Sequence, residues 1–430
     1  MWYKLKIWLQ NPSENLWLTP ALGAIFATFF SLFATASRYF IPDSLVPNIS
    51  IETLGSLLDI ISSSMLAVTT FSLSIMVAAF ASASTSGTPR AYSLMMNDDN
   101  TRVAIASFIS AFIYAVIAKI ALGLESYGAS GRFVLFLSTI LVLFYLIYTL
   151  IRWIQTLSKL GSLSTTILKI EEATARSLSD YRLQPQYGAI AEKPHYPVLL
   201  HLYSHTTGYL CDFNLEGLQA LADQKQLHLH ICAMPGKFLD PSFCLVEVYS
   251  TQQIPEQELA QIQQDIWQHI VIRKSRSFVK DPRFGLLVMT EVAQKALSPA
   301  VNDGGSALTA VNALTRILVD SQANPDESAE ECPRLSIVHL DEADFIYSTF
   351  LPIARDGANN YELHLRLIKS LSIIYHNVDE PALVEAAYKC AITIVQRAEQ
   401  QLSFKDEYEN LKQLQYDLFL ENLFIENSYL

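Results

Sequence analysis

The chain has 430 residues, 51% of them hydrophobic, with a formal net charge of −12 and a positive mean hydropathy. That apolar content excludes a wholly soluble protein, and the length allows two or three domains. The acidic balance argues against nucleic acid or anionic lipid as a main partner of the polar part.

The apolar residues concentrate in the first third. Residues 1–160 carry 9 Lys and Arg against 7 Asp and Glu, which leaves 21 against 35 for residues 161–430, a net −14. The chain therefore reads as an α-helical integral membrane part followed by an acidic α+β cytoplasmic region. All five cysteines (Cys211, Cys232, Cys244, Cys332, Cys390) fall in the second part without zinc-type or disulfide-type spacing, which fits a reduced compartment. No short apolar region with a cleavage site opens the chain, so no removable signal peptide is expected.

In chain order, Met1 to Gln10 (MWYKLKIWLQ) is a basic-aromatic segment suited to a membrane interface. The first span covers about 16–40 and stops at Pro42. The second covers about 57–86, within an uncharged run of 30 residues from Ile60 to Pro89. As a helix that run is about 45 Å long, more than a bilayer core of roughly 30 Å requires. Ser63, Ala67, Thr70, Ser74, Ala78, Ser82 and Thr85 share one face of it at steps of three and four. A small hydroxylated stripe in lipid has two uses: close helix packing, or lining a wet path. Asp59 sits near the start of this span, where a carboxylate is interfacial or faces a cavity.

Arg90 to Arg102 is a polar crossing. The third span covers 103–124, with Lys119 near its far end, and the fourth covers 133–152. Lys4, Lys6, Arg90, Arg102, Arg152 and Lys159 lie on one side of such a four-span bundle, Arg38 and Arg132 on the other. The positive-inside rule makes the first side, with both termini, cytoplasmic. The expected location is therefore a bacterial inner membrane.

The apolar periodicity continues through Ile167 and Ile170, which predicts a connecting helix over 161–184 that couples the bundle to the rest. Residues 185–252 alternate as short strands with one helix at Leu215–Gln224, a small β module. Its Gly-Tyr-Leu and Pro-Gly-Lys-Phe turns resemble the barrel-sandwich pattern of carrier domains, as fold analogy only. From 253 to 430 the periodicity is helical, with a possible short strand at Leu335–Leu340.

His228, His230 and Cys232 fall at i, i+2 and i+4 of one strand, hence on one face. Imidazole and thiolate ligate zinc or copper. The alternative is a polar outer face of the module, with Leu227, Leu229 and Ile231 inside. Asp281-Pro282 reads as a helix cap followed by proline at the first helical position. Asp303, ahead of Gly304-Gly305, reads as the cap of the next helix; both are structural expectations.

Four stretches together carry a family pattern: TTFSLSIMVAAFASASTSGTPRAYSLM, the β module with SHTTGYLCDFNLEGLQALA and MPGKFLDP, DPRFGLLVMTEVAQKALSPAVNDGGSALTAVNAL, and LDEADFIYSTFLPIARDG. In this order they resemble a bacterial family of predicted membrane proteins, domain of unknown function 2254. The resemblance covers nearly the whole chain. It implies a four-span inner-membrane protein with a cytoplasmic C-terminal domain and no assigned activity. The chain departs from the family in one place: Gly304-Gly305 follows Asn302-Asp303 where the family usually has a proline.

Hydrolase, kinase, nucleotide-binding and metalloprotease motifs are all absent from the sequence. A non-enzyme without a cofactor is expected, with no catalytic residue assigned. Its partners are the lipid bilayer, further copies of itself and, for a conducting assembly, ions. The stripe then sets two readings. In one, Ser63, Thr70, Ser74, Ser82 and Thr85, with Asp59, line the path of a homo-oligomeric channel or channel-like transporter. In the other, the protein is a non-conducting scaffold or sensor whose C-terminal region binds a protein or metabolite.

Overall fold

The computed structural model describes residues 46–91, 94, 99–124, 127–157, 161–184, 186–190, 192–321 and 332–421, with short pieces before residue 46. The predicted first span, 16–40, lies largely outside the described residues. The chain divides into two compact units, the first within 8–166 and the second formed mainly by 167–430.

In the first unit the described residues hold three long apolar helices: α1 (Ile51–Ser86), α2 (Asp99–Gly123) and α3 (Ala129–Leu157). All three are long and apolar enough to cross a bilayer. Each begins earlier or ends later than its apolar run, because charged residues such as Glu52, Asp59, Arg102 and Arg152 are accommodated within the helical turns. Ser50 supplies the cap at the start of α1, its hydroxyl accepting from Thr53 N at 3.0 Å.

α1 packs on α2, and α2 on α3. Leu54, Leu58, Ile61 and Met65 of α1 meet Phe108, Ala111, Ala115 and Ala118 of α2, with Leu135, Leu146 and Trp153 of α3. The alanines on α2 let the helix backbones approach. Polar groups in this interior are paired between helices. Trp153 Nε1 donates to Ser72 Oγ at 2.8 Å, and Tyr114 Oη and Ser138 Oγ lie 2.7 Å apart. Large apolar side chains on the outer faces, such as Phe71, Leu141, Phe144 and Ile151, are exposed.

The second unit begins with α4 (Leu163–Leu183), which starts just before its boundary. Eight strands follow among the described residues: β1 (Ala189–Ile190), β2 (Val198–Tyr203), β3 (Gly208–Phe213), β4 (His228–Ile231), β5 (Phe238–Leu239), β6 (Cys244–Tyr249), β7 (Ile270–Arg273) and β8 (Cys332–Ile337). They form a five-stranded sheet of order β1-β8-β4-β6-β2 and a three-stranded sheet of order β5-β3-β7. β8 runs parallel to both β1 and β4, while the remaining pairs are antiparallel. Two strands thus come from beyond residue 252, so the β region is wider than the alternation over 185–252 indicates. The parallel pairs β1–β8 and β8–β4 occupy one side of the larger sheet and the antiparallel pairs the other, which makes it a mixed sheet.

Helix α5 (Leu215–Lys225) packs on β8 and β4, and α6 (Glu256–Gln268) lies beside it. Five helices complete the core: α7 (Pro282–Leu297), α8 (Gly304–Asp320), α9 (Ala343–Asp356), α10 (Tyr361–Asn377) and α11 (Pro381–Gln401). Their buried stripes, including Val288, Leu314, Phe350, Leu367 and Ile394, are fully inside. The short α12 (Lys405–Tyr416) closes this end against α11 and α10.

Candidate functional site

Two places combine polar side chains in unusual surroundings, one in each unit. The first is α1. Its inward face is Leu54, Leu58, Ile61, Met65 and Ser72. At 100° per residue, the stripe of Ser63, Ala67, Thr70, Ser74, Ala78 and Ser82 falls on the opposite side of the helix, and each of these residues is exposed. The stripe therefore does not mediate packing against α2 or α3. The side chain of Thr85 lies outside the described residues.

The hydroxyls on this face turn back on their own helix. Ser63 donates to Asp59 O at 2.7 Å, Thr70 to Leu66 O at 2.9 Å and Ser74 to Thr70 O at 3.0 Å. Such i−4 bonds satisfy the proton and leave oxygen lone pairs facing outward. Asp59 is not a free carboxylate: Lys119 of α2 forms an ion pair with it.

The second place is the large sheet. Register aligns His201 of β2, Glu247 of β6, His230 of β4 and Ser336 of β8 in one row across the strands. β4 is interior, flanked by β8 and β6, and all four of its residues are buried. Both histidines are buried and so do not form an outer polar face; β8, from a hundred residues further on, sets Ser336 beside both rings. His228 Nε2 and His230 Nδ1 both contact Ser336 Oγ, at 3.0 and 2.8 Å. A hydroxyl has one proton, so it can donate to one ring while accepting from the other.

His228 is thereby occupied, and Tyr249 packs edge-on against it. His230 keeps a second nitrogen. Its Nε2 is buried and without a hydrogen-bond partner, and the residue is 3% exposed. A ring nitrogen of His230, the Cys232 sulfur and a Glu247 carboxylate oxygen lie within 4.8 Å of one another. Around them, Lys193 Nζ contacts Glu247 Oε2 at 2.9 Å and Tyr249 Oη donates to the same oxygen at 2.7 Å. Cys232 Sγ lies 3.8 Å from His230 O, and Cys244 Sγ lies 3.6 Å from His201 Nδ1. Burial, with Lys193 nearby, lowers the His230 imidazole to about 4, so the ring is neutral. Burial, with Glu247 beside it, pushes the Cys232 thiol up to about 12.

The sequence pattern of the family described as predicted membrane protein (DUF2254) matches residues 13–372. The chain belongs to that family. It is 26% identical over 208 residues to an uncharacterized protein of Mycobacterium bovis and equally to one of Mycobacterium tuberculosis strain H37Rv. The match takes in 47% of this chain and 39% of each relative, so the aligned part spans about two fifths of the length of those relatives. No solved structure matches the chain.

In this DUF2254 chain, two family stretches distant in sequence meet. Asp281, the first residue of DPRFGL, caps α7 by accepting from Phe284 N at 3.2 Å. It also receives a two-pronged contact from Arg276, Nε to Oδ2 at 2.7 Å and Nη2 to Oδ1 at 2.9 Å. Gly236 of MPGKF lies against that carboxylate with φ of +94°, and a Cβ there would fall 2.1 Å from Asp281 Oδ2. Arg283 Nη2 ties the turn down by donating to Pro235 O at 3.0 Å. The shared chemistry of these motifs is thus a buried structural joint.

Asp303 caps α8, accepting from Ser306 N at 3.0 Å. Asn302 ahead of it takes a left-handed φ of +48°. Sequence reasoning names His228, His230 and Cys232 but not Glu247 or Cys244. No spacing signals those two, because strand pairing alone brings β6 against β4.

Proposed function

We propose that this protein assembles into a homo-oligomeric channel or channel-like transporter of the bacterial inner membrane, with both termini cytoplasmic and no enzymatic activity. The observation that carries this reading is the outward direction of the α1 stripe. Three described spans with one polar stripe on their outer surface do not enclose a path, so a symmetric assembly is required to bring the stripes together. In that assembly Ser63, Thr70, Ser74, Ser82 and Thr85 face the axis and offer hydroxyl oxygens to a passing ion. Asp59, held by Lys119, stands at one end of the row as part of a neutralised pair.

One observation favours a second reading, a non-conducting scaffold or sensor. The hydroxyls of Ser63, Thr70 and Ser74 are already bonded within α1, which suits small-residue packing between copies. Flux measurement separates the two. Purified full-length protein in proteoliposomes is expected to pass ions, and Thr70→Phe or Ser74→Leu to reduce that flux several-fold. Absence of flux under any imposed gradient or voltage, with the same substitutions changing only oligomer stability, overturns the channel reading.

A further inference from the structure

The cluster on β4 and β6 has features that the channel reading does not use. His230 Nε2 is a buried nitrogen with no partner, and a buried orphan of this kind calls for a physical explanation. Ser336 holds Nδ1 at 2.8 Å, which orients the ring and directs its other nitrogen away from the hydroxyl. That is the arrangement in which a histidine binds a metal: one nitrogen anchored by an outer partner, the other presented. Glu247 is oriented in the same way, by the Tyr249 hydroxyl at 2.7 Å. The donor atoms of His230, Cys232 and Glu247 lie within 4.8 Å of one another. Tetrahedral zinc, with bonds of roughly 2.0–2.3 Å, draws its ligands to somewhat shorter separations, so a small closure completes the site.

We propose that this cluster is a zinc site, with His230 Nε2, the Cys232 thiolate and one Glu247 oxygen as ligands and the fourth position open to water. The mixed nitrogen, sulfur and oxygen donors suit a borderline-soft ion without geometric preference, which favours zinc over hard calcium or magnesium and over thiol-selective copper(I). The Cys232 thiol loses its proton on binding. Lys193 must then release Glu247. Its side chain is half exposed, so the surface ion pair that is lost is a weak one. The ion would fasten β4 to β6 at the centre of the sheet.

The inference is independent of the channel reading, and its test measures binding. Full-length protein is purified in detergent under reducing conditions, stripped with EDTA and titrated with Zn²⁺, then with Co²⁺. One zinc per chain is expected, and the cobalt form is expected to show thiolate charge-transfer and tetrahedral ligand-field absorption. His230→Gln, Cys232→Ser and Glu247→Gln should each weaken zinc by more than the roughly 10- to 100-fold typical of losing an outer-shell partner. Cys211→Ser, outside the cluster, should leave binding unchanged.

Lys193→Met removes the competing ammonium and should tighten zinc binding, an effect that loss of folding cannot mimic. Circular dichroism checks that each variant is folded, and Lys193→Met with Glu247→Gln decides the matter if the buried changes do not fold. Failure of the reduced wild-type protein to bind zinc overturns the site. So does binding that is the same in wild type, Glu247→Gln and Lys193→Met.

Discussion

Asp59 of α1 and Lys119 of α2, sixty residues apart, form an ion pair between two membrane-spanning candidates. Each is the single charged residue within a long apolar stretch of its helix, and packing α1 on α2 brings them together. In lipid an unpaired charge costs roughly 2.5–3.5 kcal/mol at a helix centre on insertion scales, and less where a long side chain reaches the interface. Asp59→Asn is expected to strand Lys119 and destabilise the bundle by about 1 kcal/mol, since Lys119 lies near the end of its helix. The exchanged pair, Asp59→Lys with Lys119→Asp, should recover most of that loss. Unfolding of each variant in mixed micelles checks the pairing, which fails if the exchange is worse than both single changes.

A second contact inside the bundle is polar and uncharged. Ser72 lies on the buried side of α1, away from the stripe, and accepts from Trp153 Nε1 at 2.8 Å. Ser72→Ala should cost about 0.6 kcal/mol, and up to roughly 1.7, the range for hydrogen bonds between membrane helices. Ser63→Ala on the outer stripe, whose hydroxyl bonds only within its own helix, should leave the stability of the isolated chain nearly unchanged. Equal effects from the two substitutions would contradict the assigned directions of the α1 faces.

Asp281 and Asp303 do the same capping job in different surroundings, which makes them a controlled pair. Asp303 is exposed, and Asp303→Ala is expected to cost about 1 kcal/mol, the usual loss of a cap. Asp281 is 2% exposed and also balances Arg276. Asp281→Ala removes the cap and leaves the arginine without its partner, an expected cost of about 3–5 kcal/mol. Thermal melting of the full chain compares them directly. Gly236→Ala should approach the Asp281 variant in severity, because its Cβ would press on the same carboxylate.

His364 of α10 supplies a pH dependence. It is fully buried, with Nε2 2.9 Å from Ala358 O. Burial lowers its pKa below the ordinary imidazole value, against the opposing effect of the Ala358 carbonyl. In the unfolded chain the ring takes a proton near pH 6.5. The unfolded state therefore binds more protons below that value, and the stabilising contribution is present above it and lost as pH falls toward the depressed folded pKa. His364→Gln should flatten the decline in melting temperature between about pH 7.5 and about pH 5. An unchanged slope would assign the acid sensitivity to other groups.

Much of the architecture is written locally. The uncharged run from Ile60 to Pro89 specifies a long apolar helix whatever follows it, and Asp281-Pro282 and Asp303-Gly304-Gly305 mark two helix starts. These signals depend only on neighbours in the chain, through helical periodicity and the unsatisfied amides of a first turn. The stripe on α1 is equally legible as a pattern. Its direction is not, because helical spacing shows which residues share a face but not whether that face meets α2 or the outside.

The sheet shows the same division between what is local and what is not. Strand alternation puts His228, His230 and Cys232 on one side of β4 without saying what covers them. β8 joins that strand from residues 332–337, and β6 sets Glu247 opposite His230. Only the tertiary structure decided that Lys119 neutralises Asp59, that Ser336 occupies His228, and that His230, Cys232 and Glu247 converge. The sequence by itself determined the three described apolar helices, the caps of α7 and α8 and the order of the parts. Hydrophobic periodicity acts over a few residues, whereas a binding site is made by side chains that the fold brings together from distant strands and helices.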